Sequence, residues 1–165
     1  MTKERPDLYN LSRDTKANDS EQTKITAPFG ILPTSQQRIC GDIGMHIDRH
    51  GTWYYRGSPI ERKELVKLFS KELRRDNLGN HWLITPTEIA PVRVDEVAHV
   101  VVSMEFIGRG ETQTVRFKTL VDTVYDLSNL YPLRLEFNPQ TGEQVPYLKL
   151  DQGLEAKLNR SVFYD

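Results

Sequence analysis

Four histidines, one cysteine and 23 acidic residues are the raw material for acid–base, nucleophilic or metal chemistry in this 165-residue chain. Their spacing does not assemble it. His46 and His50 are four apart, which on a helix would set both on one face for zinc. Here they fall on a strand and its turn, where four residues span about 13 Å. They cannot share a metal and read as solvated histidines, and His81 and Cys40 are not expected to converge on them. Cys40 has no positional partner and reads as a small buried hydrophobe rather than a nucleophile. No nucleophile elbow, Walker loop or dinucleotide fingerprint occurs. The carboxylates are scattered, so no acid/base pair can be assigned. The expectation is a protein that is not an enzyme and carries neither metal nor cofactor.

One stretch gathers residues suited to binding rather than reaction: GTWYYRGSPIERKELVKLF, residues 51–69. Ser58, Pro59 and Glu61 match a capping box with proline at the first helical position. Leu65, Val66, Leu68, Phe69 and Leu73 recur at helical spacing, which predicts a helix over 59–75 with Leu65, Leu68, Phe69 and Leu73 buried. Lys63, Lys67, Lys71 and Arg74 occupy the opposite face and read as a solvated surface. Arg62 falls inside the apolar arc, and a cation in the first turn opposes the helix dipole. It needs an internal carboxylate such as Glu88, Asp95 or Glu155, or an anion from outside helped by the backbone N–H groups of 57–60. Trp53 and Tyr55 alternate with Tyr54, so the pair shares a face that is either core or an aromatic wall beside the arginine.

The elements that would position these residues are mostly strands. Residues 43–48 alternate, DRHG turns the chain, and TWYY returns. HWLIT, PVRVDEV, HVVVSMEFIG, QTVRFKTL, YPLRLEF and VPYLKL read as further strands. TPTE repeats the cap pattern, but Pro91 limits it to one turn. A short last helix is predicted near GLEAKLN, followed by an extended SVFYD. The class read from this pattern is α+β with mostly antiparallel pairing. No sequence repeat is obvious, although each half of 38–165 holds several strands and one helix. Residues 1–37 are a polar extension with scattered Leu8, Tyr9 and Leu11. The net charge of −1 gives no global field for duplex nucleic acid or membrane. No apolar run approaches the ~20 residues a membrane helix requires, and the single cysteine suits a reducing cytoplasm.

CGDI at 40–43, the 51–69 stretch, LITPTE at 83–88, YPL at 131–133 and YLKLDQGLEAKLNRSVFYD at 147–165 resemble, in order, the bacterial family called domain of unknown function 1285. The resemblance implies two packed lobes, 38–97 and 98–165, with one helix each, the second superficially like a pleckstrin-homology domain. It implies no catalytic activity, and a nucleotide-type ligand between the lobes in a signalling role. The expected ligand set is Trp53, Tyr55, Ser58, Arg62, Thr85, Glu88, Tyr147, Lys149 and Arg160. The leading expectation is a non-enzymatic module sensing a small anionic or nucleotide-type ligand. The alternative is a protein-interaction module of pleckstrin-homology type that receives a peptide partner.

Overall fold

The computed structural model describes residues 33–163. The N-terminal extension up to residue 32 lies outside them, as does any docking of Leu8, Tyr9 or Leu11. The chain divides between Asp95 and Glu96 into two compact units. The first holds β1 (Arg38–Ile39), β2 (Met45–Ile47), β3 (Trp53–Tyr55), β4 (Ser58–Pro59), α1 (Lys63–Glu72), β5 (Leu73–Arg75), β6 (His81–Ile84) and β7 (Glu88–Val94). The second holds β8 (His99–Ile107), β9 (Thr114–Thr119), β10 (Val124–Asp126), β11 (Leu133–Phe137), β12 (Gln144–Lys149), β13 (Glu155–Leu158) and a single-turn α2 (Arg160–Phe163). No helix among the described residues is long and apolar enough to cross a membrane.

Each unit is built the same way. In the first, the strand order is β4-β3-β2-β7-β6-β5, with β1 beside β7. In the second it is β10-β9-β8-β13-β12-β11. Both are two antiparallel three-stranded meanders. In both, the first strand of one meander pairs in parallel with the last strand of the other. His46 lies opposite Arg93 in the first unit, and His99 opposite Ala156 in the second. These central pairs carry some of the most buried residues, Ile47 and Ile89 in one sheet and Val101 and Ala156 in the other, with Leu83 on β6 and Leu148 on β12 buried beside them.

The expectation of an α+β class with one helix per lobe is overturned. The described residues are mostly strand, in two sheets with one helix longer than a single turn. In the first unit the connection between meanders carries α1. In the second it is only the loop 127–132. The expected helix near GLEAKLN is β13, where Leu154, Ala156 and Leu158 are buried and Glu155 and Lys157 lie between them. Its residues are good helix formers, but their period of two fits a strand paired on both sides. SVFYD, expected to be extended, begins within α2.

The helix also starts later than its cap signature predicts. Arg56 (φ 48°) and Gly57 (φ 82°) form the two-residue turn of a hairpin, and Tyr55 lies opposite Ser58. Ile60 N–H then donates to Trp53 O, so Ser58 and Pro59 are edge strand. α1 begins at Lys63 with Arg62 in the N-cap place, extended and without a side-chain cap bond. Leu65, Phe69 and Leu73 are buried as expected, and Phe69 stacks on Trp53 with centroids 6.3 Å apart. Leu68 is exposed, because the ten-residue helix buries only a narrow stripe.

One turn recurs through both sheets. After β2, Asp48 N–H donates to Thr52 O and Gly51 N–H to Asp48 O. Asp48 Oδ1 accepts from the His50 and Thr52 N–H groups. After β5, Asp76, Gly79 and Asn80 repeat the pattern, with Asp76 Oδ1 accepting from Leu78 and Asn80. After β9 the same loop is made by Thr119, Asp122 (φ 64°) and Thr123. The left-handed fourth position explains the glycine in the first two cases, and aspartate tolerates it in the third.

Candidate functional site

The repeated turn places an aromatic residue six positions after its first residue. Tyr54 Oη donates to Asp48 Oδ2 at 3.1 Å, and Trp82 Nε1 donates to Asp76 Oδ2 at 2.9 Å. Both carboxyls are held below their ordinary pKa. Burial pushes them up, but the N–H, hydroxyl and indole donors around them outweigh it. In the third copy the first residue is Thr119, and the aromatic is Tyr125. Thr119 Oγ1 accepts from Thr123 N–H and leaves no second oxygen for a phenol. The Tyr125 hydroxyl has no hydrogen-bond partner among the described residues.

Tyr125 lines an open hollow of about 470 Å³ in the second unit. Its ring meets that of Tyr131 edge-on, centroids 5.1 Å apart and planes at 69°. Tyr131 Oη donates to Asp151 at 3.1 and 3.2 Å. On the β9–β10 side Arg116 holds Asp126 bidentately, Nε to Oδ1 at 2.7 Å and Nη2 to Oδ2 at 3.2 Å. Burial raises the Tyr125 phenol above its ordinary pKa, and Asp151 and Tyr131 add to it. It is therefore a proton donor throughout the physiological range. Arg116 is neutralised by Asp126, so Asp151 leaves the lining with one excess negative charge. The hollow offers two ring faces, one uncommitted O–H and carboxylate acceptors. Its hydroxyls, Thr123 and Ser128, have no histidine or cysteine beside them in the lining.

The expected ligand residues do not gather around Arg62. Trp53 is buried against Phe69 in the first core. Tyr55 lies half-buried under the Arg56 guanidinium, 5.3 Å from its ring centroid. Ser58 is exposed on β4. Arg62 is exposed rather than turned inward, because it precedes the helix and the wheel does not apply to it. Thr85 Oγ1 accepts from Glu88 N–H at 3.0 Å and donates to Glu88 O at 3.2 Å, closing the TPTE turn. Glu88 is buried there, and its Oε2 has no hydrogen-bond partner among the described residues. Cys40 is buried nearby, its thiol pushed up to about 11 by burial, with the Glu88 charge adding to it.

Tyr147, Lys149 and Arg160 belong to the second unit. Tyr147 is buried, donates to Glu96 Oε1 and lies 4.4 Å under the Arg134 guanidinium. Burial first, and then Glu96, raises its pKa. Lys149 is exposed on β12, and Arg160 opens α2. Among the described residues no three His, Cys, Asp or Glu side chains are grouped to hold a metal ion. The reading of the sequence missed Arg116, Tyr125, Asp126, Tyr131 and Asp151. The available signal was T-x-x-D-x-x-Y at 119–125, the spacing of D-x-x-G-x-x-Y at 48–54 and D-x-x-G-x-x-W at 76–82.

No curated protein matches the chain. A crystal structure of a DUF1285 family protein from Silicibacter pomeroyi DSS-3 is similar, with 37% identity and a TM-score of 0.71 over 84% of this chain and 77% of that one. Another, of a DUF1285 family protein from Shewanella baltica OS155, shares the fold, with a TM-score of 0.58 at 24% identity over 73% of this chain and 87% of that one. Residues 34–97 match the N-terminal domain, and residues 98–165 the C-terminal domain, of the domain of unknown function DUF1285. With both domains matched in order across most of its length, the chain belongs to the DUF1285 family.

Proposed function

We propose that the protein is a non-enzymatic binding module that senses a small nucleotide-type ligand in a signalling role. The observation that carries this reading is the Tyr125 hydroxyl. Its two counterparts are tied to the aspartates of their own turns, whereas Tyr125 has an uncommitted hydroxyl and lines a hollow together with a second aromatic ring. The size suits a heterocycle, since small-molecule sites run from about 300 to 1,000 Å³. The excess carboxylate favours the base over the phosphate. A base can stack on Tyr125 or Tyr131 and donate its N–H groups to Asp151, while a phosphate would meet an arginine already occupied.

Melting temperatures measured with adenosine, guanosine, their monophosphates and inorganic phosphate test this. A nucleoside should stabilise the wild type, phosphate alone should not, and Tyr125→Ala should remain folded but unresponsive. Absence of any nucleoside response at millimolar concentration would remove the proposal. A second reading, a protein-interaction module, is favoured by the exposed outer strand β11, whose five residues are all exposed.

A further inference from the structure

Apart from the two-residue β1, four strands end the two sheets, and three are poor templates for another strand. β4 has two residues and one is Pro59, β5 ends in Arg74 and Arg75, and β10 has three residues ending in Asp126. Short length, proline and charge are the usual protections of a sheet edge. β11 is longer, with five residues and no proline, and its two charges, Arg134 and Glu136, pair with one another on a single face. Leu133, Leu135 and Phe137 share one face and are 40%, 57% and 61% exposed.

The direction of its free hydrogen-bonding groups follows from its ends. Lys149 N–H donates to Pro132 O, and Asn138 N–H donates to Glu143 O. Even-numbered positions of β11 therefore face β12, and the pairing of Leu135 with Pro146, which has no N–H, agrees. The N–H and C=O groups of Leu133, Leu135 and Phe137 point out of the sheet.

We infer that β11 is a homodimer edge that pairs antiparallel with β11 of a second copy about a two-fold axis at Leu135. The order Leu-Arg-Leu-Glu-Phe is what selects a second copy over an unrelated strand. The axis sets Leu135 against Leu135 once, and Leu133 against Phe137 and Arg134 against Glu136 twice each. All three apolar positions bear the outward backbone groups, so each pair exchanges both hydrogen bonds. The charges alternate across the axis on the other face. Arg134 is already held upright there by Glu155 at 2.7 Å and Glu136 at 2.7 Å, over the Tyr147 ring. The interface is isologous and closes at two copies, joining the two six-stranded sheets into one.

Sedimentation equilibrium of the full chain across the micromolar range tests this. The wild type should approach the mass of two 19.1 kDa chains. Leu135→Lys buries like charges on the axis, and Leu135→Pro removes an outward N–H without touching the β12 ladder. Both should be monomeric, with the circular dichroism of the wild type. Glu136→Lys sets two cations against Arg134 and should have the same effect. A read-out without any variant is hydrogen exchange of the wild type at low and high protein concentration. The amides of Leu133, Leu135 and Phe137 should gain protection with concentration while those of Arg134 and Glu136 stay constant. A monomeric wild type, a dimer that survives both Leu135 variants, or exchange at the three amides that ignores concentration overturns the inference. So does a monomer that captures only a foreign strand.

Discussion

Two side chains in the β5–β6 hairpin carry much of the molecule's response to mutation and acid. Asp76 is buried and satisfies two backbone N–H groups and the Trp82 indole. Asp76→Ala strands these donors and should cost about 2–4 kcal/mol, read by urea unfolding. Asp48 serves the same turn in a more exposed place, so Asp48→Ala should cost less. Both carboxyls have lowered folded pKa values. The stability they contribute is present above their unfolded value and is lost as pH falls through the folded one. His81 acts in a different window. Burial, with Arg75 beside it, lowers its pKa from 6.5 to about 4. The unfolded chain takes up that proton first, so stability should decline as pH falls from about 6.5 to about 4 and then level off. The ring is only partly buried, so the loss should be on the order of 1–3 kcal/mol. Melting curves from pH 8 to about 3.5 should show this decline, and His81→Gln should flatten it. None of this was legible in advance. DNLGN read correctly as a turn, and the spacing to the aromatic residue is present in the sequence, but that this residue is tied to the aspartate is shown only by the hydrogen bonds.

At the level of elements, the α1 stripe and its aromatic partner are the main joint of the first unit. Phe69→Ala opens a cavity against Trp53 and should destabilise by about 3–5 kcal/mol. Ser58→Ala should change stability by less than about 0.5 kcal/mol, because Ser58 caps nothing; a loss near 1 kcal/mol would restore it as a cap. The hairpins were readable because glycine and aspartate at fixed offsets specify their turns. The helix start was not, since Ser-Pro-Ile-Glu satisfies a capping rule locally while pairing with β3 decides the outcome. GLEAKLN failed for the same reason: propensity favoured helix, and two neighbouring strands overruled it. The candidate hollow was hidden because Arg116 and Asp126 become neighbours only across β9 and β10.

Across the whole molecule, the family and the two-unit plan could be read from ordered blocks of sequence, whereas the shared strand order could not. It rests on parallel pairing of segments some fifty residues apart, which no local pattern encodes. Those pairs are also among the most buried, so native-state hydrogen exchange should find its slowest amides at Ile47, Ile89, Val101 and Ala156. Edge strands β4 and β10 should exchange first. The same closure has a mechanical consequence. In each unit the first strand of the first meander and the last strand of the second lie side by side and run the same way. A pull on the two ends of a unit therefore slides these strands along one another, loading the whole ladder at once instead of peeling it bond by bond. Stretched end to end, each unit should resist as a shear joint, yielding at forces well above those that open its hairpins.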